Sequence, residues 1–204
     1  MGRWGVMMRS ALQGFSSGMF FKFLKKTLFL DDKYLIYKAN TDSSSRPVVP
    51  SINGIRIEKG NLKELNKMIQ ELNLSAPEFH CHKLDGVEDF FIAKNETGIQ
   101  HISWIYRHHH YNRLLSLGKN EVEIKYCLTM RSSRGKGIYP KVLGEIMDYL
   151  EKQKILSVYM SVDPANFKSI RGMEKAGFRM VGSVRYRKIF GVFRSKPLIA
   201  SKLH

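Results

Sequence analysis

The stretch "RSSRGKGIYP", residues 131–140, decides how this sequence is interpreted. The residues before it, "EVEIKYCLTM" (121–130), alternate in the manner of a β-strand, and "YPKVLGEIMDYLEKQK" (139–154) has the apolar spacing of a helix. Pro140 fits only in the first turn of a helix, because a proline has no N–H group to donate. The stretch therefore predicts a strand, a glycine-rich turn and a helix that begins at about Gly135–Ile138.

This turn has the features of an anion-binding site. A helix N-terminus carries unpaired N–H groups and partial positive charge. Gly135 and Gly137 let the backbone close on a ligand without side-chain clashes, and Arg134 and Lys136 would add charge-assisted contacts. Phosphate is the usual anion at such a position.

Three phosphate-binding motifs are candidates for the turn. A Walker A loop needs a hydroxyl residue after Gly-Lys, whereas Gly137 follows Lys136 here. A dinucleotide-binding fingerprint needs a third glycine where Pro140 stands. The pattern Arg/Gln-x-x-Gly-x-Gly/Ala fits Arg134 and Gly137, with Tyr139 in place of the last small residue.

The pair of segments "RGKGIYPKVL" and, about thirty residues later, "NFKSIRGMEKAGF" resembles the GCN5-related N-acetyltransferase (GNAT) family over residues 54–191. The first segment resembles the pyrophosphate loop of that family. The second resembles its helix that starts at an asparagine and ends in Glu-Lys-x-Gly-Phe. The resemblance implies an α/β fold with a mixed, mostly antiparallel central sheet flanked by helices. It also implies acetyl-CoA as the acetyl donor, with no metal.

The resemblance assigns coenzyme contacts to three places in the chain. The pyrophosphate would lie on the backbone amides of the turn: Arg134, Gly135, Lys136, Gly137, Ile138 and Tyr139. The pantetheine arm would run beside the strand end: Leu128, Thr129 and Met130. The side-chain amide of Asn166 would hold the pantetheine, although its position alone also fits a helix N-cap.

Two positions depart from the pattern of the family. Tyr139 stands where the family usually has glycine or alanine, and Met173 stands where many members carry the tyrosine that protonates the leaving thiolate. We expect Met173 to be a core residue, because it has helical spacing with Ile170. Ser169 and Tyr139 are then the candidate proton donors, with water as the alternative.

Acetyl transfer also needs a base, because the attacking amine must be neutral. Glu121 and Glu123 lie on one face of the predicted strand, and Glu123 stands where some family members place a catalytic glutamate. The alternative is an exposed strand-face carboxylate that pairs with Lys125 or an arginine. Other candidates for a proton relay are Tyr106, His108, His109 and His110. We expect Cys127 to be a buried structural thiol rather than a nucleophile, because it stands between apolar neighbours.

The histidine-rich segments "HCH" (80–82) and "HHH" (108–110) raise the question of a metal site. Their spacing matches no standard zinc motif, so we expect surface histidines and no metal.

The remaining elements are predicted from periodicity and turn residues. Strands are predicted at 33–39, 54–60 and 155–162, a pair of strands at 89–107 around a turn at Asn95–Gly98, and a hairpin at 179–191. Helices are predicted at 61–72 and 164–178, and a loop at 107–120. A Ser/Pro-rich connector at 41–51 divides an amphipathic arm with a short strand (1–46) from a GNAT-like domain (47–204).

The composition bounds the partners. The 204 residues are 43% hydrophobic and carry a formal charge of +16, which suits a folded domain that attracts anions. Two unpaired cysteines indicate a reducing, cytoplasmic compartment. The basic arm "FFKFLKKTLFL" packs on its own domain or makes a peripheral contact with an anionic membrane.

These observations predict an N-acetyltransferase that uses acetyl-CoA and a small-molecule primary amine. The segments resemble acetyltransferases of bacterial surface-polysaccharide pathways, and the resemblance with the excess of cations favours an anionic, nucleotide-linked amino sugar. The alternatives are a protein or peptide acceptor, and a degenerate basic domain that binds nucleic acid or membrane. Nucleic acid is disfavoured, since aromatic residues do not interleave with cations. The oligomeric state stays open and includes a homodimer.

Overall fold

The structure is a computed structural model, and it describes residues 29–42, 44, 46–189, 193–194 and 196–203. The chain forms two compact units. The larger unit comprises Tyr34–Val184 with Pro197–His204, and the smaller one comprises Met1–Lys33 with Arg185–Lys196. All but the last two residues of the predicted arm at 18–30 lie outside the described residues. The boundary at 46/47 stays a prediction.

A mixed sheet of eight strands forms the centre of the fold, in the order β2-β3-β4-β6-β7-β1-β8-β9. The strands are β1 Phe29–Asn40, β2 Arg56–Lys59, β3 Phe90–Asn95, β4 Gly98–Arg107, β6 Glu121–Thr129, β7 Ser157–Val162, β8 Arg179–Ile189 and β9 Phe193–Arg194. Within this sheet, among the pairs with a described register, β6 and β7 are parallel and the others are antiparallel. The predicted mixed, mostly antiparallel sheet is confirmed.

In the part of the chain that the structure describes, four α-helices accompany the sheet: α1 Leu62–Glu71, α2 Cys81–Asp85, α3 Ile138–Lys152 and α4 Phe167–Lys175. Short 3₁₀ helices occupy Pro77–Phe79, Arg131–Ser133 and Ala200–Lys202. The side chain of Asn61 caps α1 by accepting hydrogen bonds from two amides of its first turn. Gly177 follows α4 with a φ of +91°, which is the left-handed conformation that glycine adopts readily after a helix.

Apolar side chains cover both faces of the sheet. On one face, α3 buries a continuous stripe: Val142, Leu143, Ile146, Met147 and Leu150. This is the stripe that the sequence periodicity predicts, and Met173 of α4 packs into the same core at 1% exposure. On the other face, Leu65 of α1 packs with Phe79, Cys81 and Trp104. The sheet is therefore covered on both sides, and strand ends and loops are left to form a site.

Two sequence-based expectations are wrong. Residues 179–191 do not form a hairpin of their own, because β8 runs without a turn to Ile189 and its hairpin partner is β9. Gly182 lacks the positive φ that a tight hairpin turn requires. The expected loop at 107–120 contains β5 Leu115–Ser116, which pairs in parallel with β10 Leu198–Ile199. That pairing joins residues more than eighty positions apart, so local pattern could not reveal it.

Candidate active site

The central feature of the site is the separation of strands β6 and β7. Their described pairing runs from Glu121 to Glu123 on β6 and from Ser157 to Tyr159 on β7, while β6 continues to Thr129. Beyond Glu123, β6 pairs with β4 on its other side, and β7 pairs with β1. Backbone N–H and C=O groups of β6 therefore face an opening between the two strands, where an extended ligand can bind.

A β-bulge shapes the β6 side of this opening. The register between β4 and β6 shifts between Ile102 and Trp104, opposite Leu128 and Lys125. Tyr126 within the bulge has a φ of +49°, which is uncommon for a residue other than glycine. Bulges redirect the side chains that follow them. The bulge thus lies beside the residues that sequence analysis assigned to the pantetheine arm.

The glycine-rich turn adopts the expected conformation at the start of α3. Gly135 and Gly137 have φ values of +80° and +76°, and Gly137 is the N-cap residue. Among the described residues, no side chain caps this helix, and its first turn contains no acidic residue. A Cβ atom built at Gly135 would meet no atom within 4 Å, so the backbone there is open. The amide of Arg134 donates to the carbonyl oxygen of Arg131, and the amides that follow it at the helix start are available to an anion.

The turn is anchored to the sheet on its β6 side. Arg134 Nε donates to the carbonyl oxygen of Thr129 at 3.2 Å, and the amide of Met130 donates to the carbonyl oxygen of Gln100 at 2.9 Å. The buried hydroxyl of Ser133 donates to the side-chain oxygen of Gln100. Arg134 and Lys136 are exposed, so their charged groups can contact a bound anion.

Asn166 lies at the other predicted contact, the start of α4. Its Oδ1 accepts a hydrogen bond from the amide of Ser169 at 3.2 Å, so the residue is a helix N-cap. The Nδ2 group is not used by that bond. The capping role that its position suggested is therefore present, and the coenzyme contact stays a prediction.

The side chain of Tyr139 extends from α3 to α4, where its hydroxyl lies beside that of Ser169. The two hydroxyl oxygens lie 3.4 Å apart, and the ring stacks on His101 with a centroid distance of 5.4 Å. A Cβ atom at Gly172 would lie only 2.4 Å from Tyr139 Cδ1. The tyrosine therefore fits because position 172 of α4 is a glycine. The structure thus brings together the two candidate proton donors, Tyr139 and Ser169.

Burial governs protonation around Tyr139. It raises the pKa of the Tyr139 hydroxyl well above its usual value and raises the pKa of the nearby Cys127 thiol to about 12. It also lowers the pKa of His101 to about 3, so this imidazole is neutral. His101 bridges two hydroxyls, Thr129 Oγ1 and Ser103 Oγ, each at 2.7 Å. Cys127 is therefore a protonated structural thiol at neutral pH, and Tyr139 retains its proton.

Glu123 lies on β6 at the last residue that pairs with β7. Its side chain is fully buried, and Oε1 accepts a hydrogen bond from Ser161 Oγ at 2.6 Å. The second oxygen, Oε2, is also buried and has no partner among the described residues. Burial raises the pKa of Glu123, and the positive charge of Lys125 opposes this shift. The alternative of an exposed strand-face carboxylate is wrong.

A group of polar residues lies beside Glu123, and the sequence had pointed to Lys125 and Tyr106 but not to the other members. Lys125 Nζ donates to Asn112 Oδ1 at 2.9 Å and lies 4.3 Å from the centre of the Tyr106 ring. The Tyr106 hydroxyl donates to Asp85 Oδ2 at 2.5 Å. Spacing had already suggested Lys125 as a neighbour of Glu123, since residues two apart on a strand share a face. Asn112 and Asp85 gave no local signal.

Other candidate residues lie apart from this group or have structural partners. Glu121 Oε2 accepts from the amide of Gly118 at 2.7 Å, and its Oε1 accepts from the Tyr159 hydroxyl, so this carboxylate holds a loop.

Within the described residues, no three His, Cys, Asp or Glu side chains are grouped so as to hold a metal. In the same part of the chain, no helix has the length and apolar character needed to cross a membrane.

Comparison with known proteins identifies the family. The family model of the acetyltransferase (GNAT) domain matches residues 59–179, which is more than half of the chain. No curated protein matches the sequence significantly.

Solved structures share the fold at low sequence identity. A GNAT-family acetyltransferase from Colwellia psychrerythraea superposes with a TM-score of 0.56 at 13% identity, over 86% of this chain and 63% of that one. A GCN5-related N-acetyltransferase from Sphaerobacter thermophilus superposes with a TM-score of 0.55 at 17% identity, over 90% of this chain and 59% of that one. A glucosamine N-acetyltransferase region of a fungal multi-domain β-N-acetylglucosaminidase superposes with a TM-score of 0.57 at 14% identity, over 86% of this chain and 23% of that one. This chain thus matches about three fifths of each bacterial relative.

The parting of β6 from β7 and the glycine turn before α3 both lie within the matched residues. The family that the two sequence segments suggested is confirmed. The chain belongs to the GNAT family, whose members are acyltransferases that depend on acetyl-CoA.

Proposed function

We propose that this protein transfers the acetyl group of acetyl-CoA to a primary amine. The observation that carries the proposal is the opening between β6 and β7 beside a glycine-rich helix start that no side chain caps in the described residues. An extended arm with amide groups and a pyrophosphate needs these two features next to each other. Backbone groups of a strand edge serve the arm, and amides of a helix N-terminus serve the pyrophosphate.

Each part of the coenzyme has a complementary part of this site. The amides of residues 134–139 would hold the pyrophosphate, with Arg134 and Lys136 contributing charge. The backbone of Leu128, Thr129 and Met130 would pair with the pantetheine arm, and an amide in this segment would stabilise the oxyanion of the tetrahedral state. When bound, the coenzyme supplies the activated acetyl group.

Glu123 and Tyr139 carry out one proton transfer each, from different faces of the sheet. Glu123 accepts the amine proton, directly or through one water, because Oε2 lacks a partner among the described residues. The amine nitrogen then forms the amide bond while the C–S bond of the thioester breaks. Tyr139, supported by Ser169, donates its proton to the departing thiolate, since burial keeps the hydroxyl protonated.

For the acceptor we propose a small anionic amine, of which a nucleotide-linked amino sugar is one type. The formal charge of +16 exceeds what a single coenzyme requires. One structural neighbour is described as a glucosamine N-acetyltransferase region, so this fold serves an amino-sugar acceptor in another protein. A protein or peptide N-terminus is the alternative acceptor. A cytoplasmic location and a peripheral membrane contact stay predictions.

Calorimetry with acetyl-CoA tests the coenzyme site. Gly137→Glu places a carboxylate where the pyrophosphate would bind, and we expect affinity to fall by at least about tenfold. Gly86→Glu is the matched control, because Gly86 has a similar φ of +67° and no atom within 4 Å of its Cβ position. Equal affinity in both variants would contradict the assignment.

A panel of amines, assayed by release of coenzyme A, then tests the reaction. The panel contains nucleotide amino sugars, free amino sugars, polyamines and peptides. Turnover of peptides alone would favour the alternative acceptor. Binding of acetyl-CoA without turnover of any amine would favour a non-catalytic domain, for which RNA and anionic vesicles are the next ligands to test.

A further inference from the structure

Two buried polar atoms without a partner lie on either side of one lysine. Within the described residues, Asn112 Nδ2, Glu123 Oε2 and His82 Nδ1 are buried side-chain atoms that lack a hydrogen bond. Asn112 contacts Lys125, and Lys125 follows Glu123 by two residues on the same face of β6. Buried polar groups are usually paired, so unpaired ones indicate a ligand or water.

Lys125 also has a donor to spare. An ammonium group has three N–H donors. One is directed to Asn112 Oδ1 at 2.9 Å, and the face of the Tyr106 ring, 4.3 Å away, attracts the cation. The remaining donor of Lys125 and the free amide of Asn112 are adjacent, because the two side chains are hydrogen-bonded to each other. Burial lowers the pKa of Lys125, and an oxyanion bound beside it would favour the charged ammonium form. Two neighbouring donors of this kind are suited to an oxyanion.

One member of the pair, Asn112, lines a surface cleft, and the other, Lys125, is on the same strand as the proposed base. Asn112 forms part of the wall of a cleft of about 260 Å³, together with His108, His110, Tyr111, Leu115 and Pro197. Lys125 and Glu123 are two residues apart on β6, so their Cα atoms are about 6–7 Å apart along the strand. The cleft is large enough for part of a small molecule.

The charge around the pair also favours an anion. Arg113 contributes a second positive charge that acts on both Glu123 and Lys125. Its guanidinium donates to the Tyr34 hydroxyl at 2.9 Å and stacks on that ring. The carboxyl groups of Glu123 and Asp85 also act on Lys125, with the opposite sign, so Lys125 and Arg113 are the two cations to which a negative group of the acceptor would bind.

We propose that Lys125 and Asn112 bind a carboxylate or phosphate of the acceptor, a few bonds from the nitrogen whose proton Glu123 accepts. This inference rests on the proposed acetyl transfer and specifies its acceptor as a small molecule with an amine and an oxyanion close together. The spacing between Glu123 and Lys125 sets the separation of these two groups. Lys125 and Asn112 are binding residues and take no part in the proton transfers.

The experiment compares amines with and without an anionic group near the nitrogen. The probes are glucosamine 1-phosphate against glucosamine, and β-alanine against its amide, so phosphate and carboxylate are distinguished. Asn112→Asp keeps the oxygen that Lys125 contacts and replaces the free amide by a second oxygen. The control is Asn120→Asp, an identical change at an exposed position before β6.

In the wild type we expect the charged member of at least one pair to have the higher kcat/KM. Asn112→Asp should lower that kcat/KM by about tenfold or more, because a donor to a charged group is replaced by a repelling oxygen. The neutral members should lose much less, because they lack the group that Asn112 contacts, and any effect of the new carboxylate on Glu123 through Lys125 acts equally on both members of a pair. Asn120→Asp should change neither. A similar loss for both members would mean a structural role and would overturn the inference.

Calorimetry makes the result independent of turnover and of the folding of one variant. Charged probes are titrated into the wild type saturated with coenzyme A, and then into Lys125→Met, which keeps an apolar side chain against Tyr106. We expect binding by the wild type and loss of it in Lys125→Met. If the wild type binds no charged probe, the inference fails, whereas the proposed function fails only if acetyl-CoA itself does not bind.

Discussion

Replacing Gly172 by alanine adds one methyl group at the contact between α4 and Tyr139. The new Cβ would lie 2.4 Å from Tyr139 Cδ1 and 2.8 Å from Cε1, well inside van der Waals contact. The ring cannot move away freely, because it stacks on His101 at 5.4 Å and is partly buried. Overpacking of this kind costs about 1–3 kcal/mol.

Helix propensity acts in the opposite direction, because it favours alanine over glycine. A substitution at a second helical glycine measures this effect alone. Glycine inside a helix is less favourable than alanine by about 0.5–1 kcal/mol. Gly144 lies inside α3, and a Cβ there would meet no atom within 4 Å. Gly144→Ala should therefore stabilise the protein by about that amount. Gly172→Ala should be less stable than Gly144→Ala by the overpacking term of about 1–3 kcal/mol.

Urea unfolding of both variants, with the midpoints and slopes compared, gives the two free energies. In the coenzyme A release assay, Gly172→Ala should also lower kcat, because the Tyr139 hydroxyl must leave its position beside Ser169. Gly144→Ala should leave kcat unchanged. Equal stabilisation by both substitutions would refute the tight contact between Gly172 and Tyr139, and with it the reason why a tyrosine fits at this point of α3.

Three further outcomes follow from the site. Glu123→Gln should lower kcat by about a hundredfold or more and leave acetyl-CoA affinity unchanged. Burial raises the pKa of the Glu123 carboxyl, so the rate of the wild type should rise with pH as this carboxyl ionises, and the rate of the variant should not. Because that folded-state pKa lies above the unfolded value, the stability that neutral Glu123 contributes is present at low pH and is lost as the pH rises through it. Thermal melts should therefore show Glu123→Gln to be more stable than the wild type at neutral pH, with the difference closing in acid; the opposite trend would contradict the raised pKa. Tyr139→Phe should lower kcat while calorimetry shows unchanged acetyl-CoA binding, and a larger loss in Ser169→Ala would make the serine the donor instead. Met173→Leu, a volume-conserving change in the core, should change kcat by less than about twofold and stability by less than about 1.5 kcal/mol, and a large fall in kcat with the fold intact would assign the thioether a role.

Local features of the sequence determined the class of fold and the position of the coenzyme turn. Pro140 and the glycines before it limited where α3 begins, and the observed start at Ile138 lies within that range. Asn166 and Gly177 marked the ends of α4, since a capping side chain and a left-handed glycine act within one helical turn. Alternation placed the central strands for the same reason, because the period of a strand is a property of neighbouring residues.

Tertiary structure decided what the side chains at those positions can do. Glu123 had two interpretations on the strand, and only the packing of Ser161 and the sheet around it shows a buried carboxyl with a free oxygen. The contact of Tyr139 with Gly172 joins two helices, and that of Lys125 with Asn112 joins a strand to a loop. Spacing along the chain does not specify such contacts, because burial and pKa depend on groups that folding brings together from distant parts of the sequence.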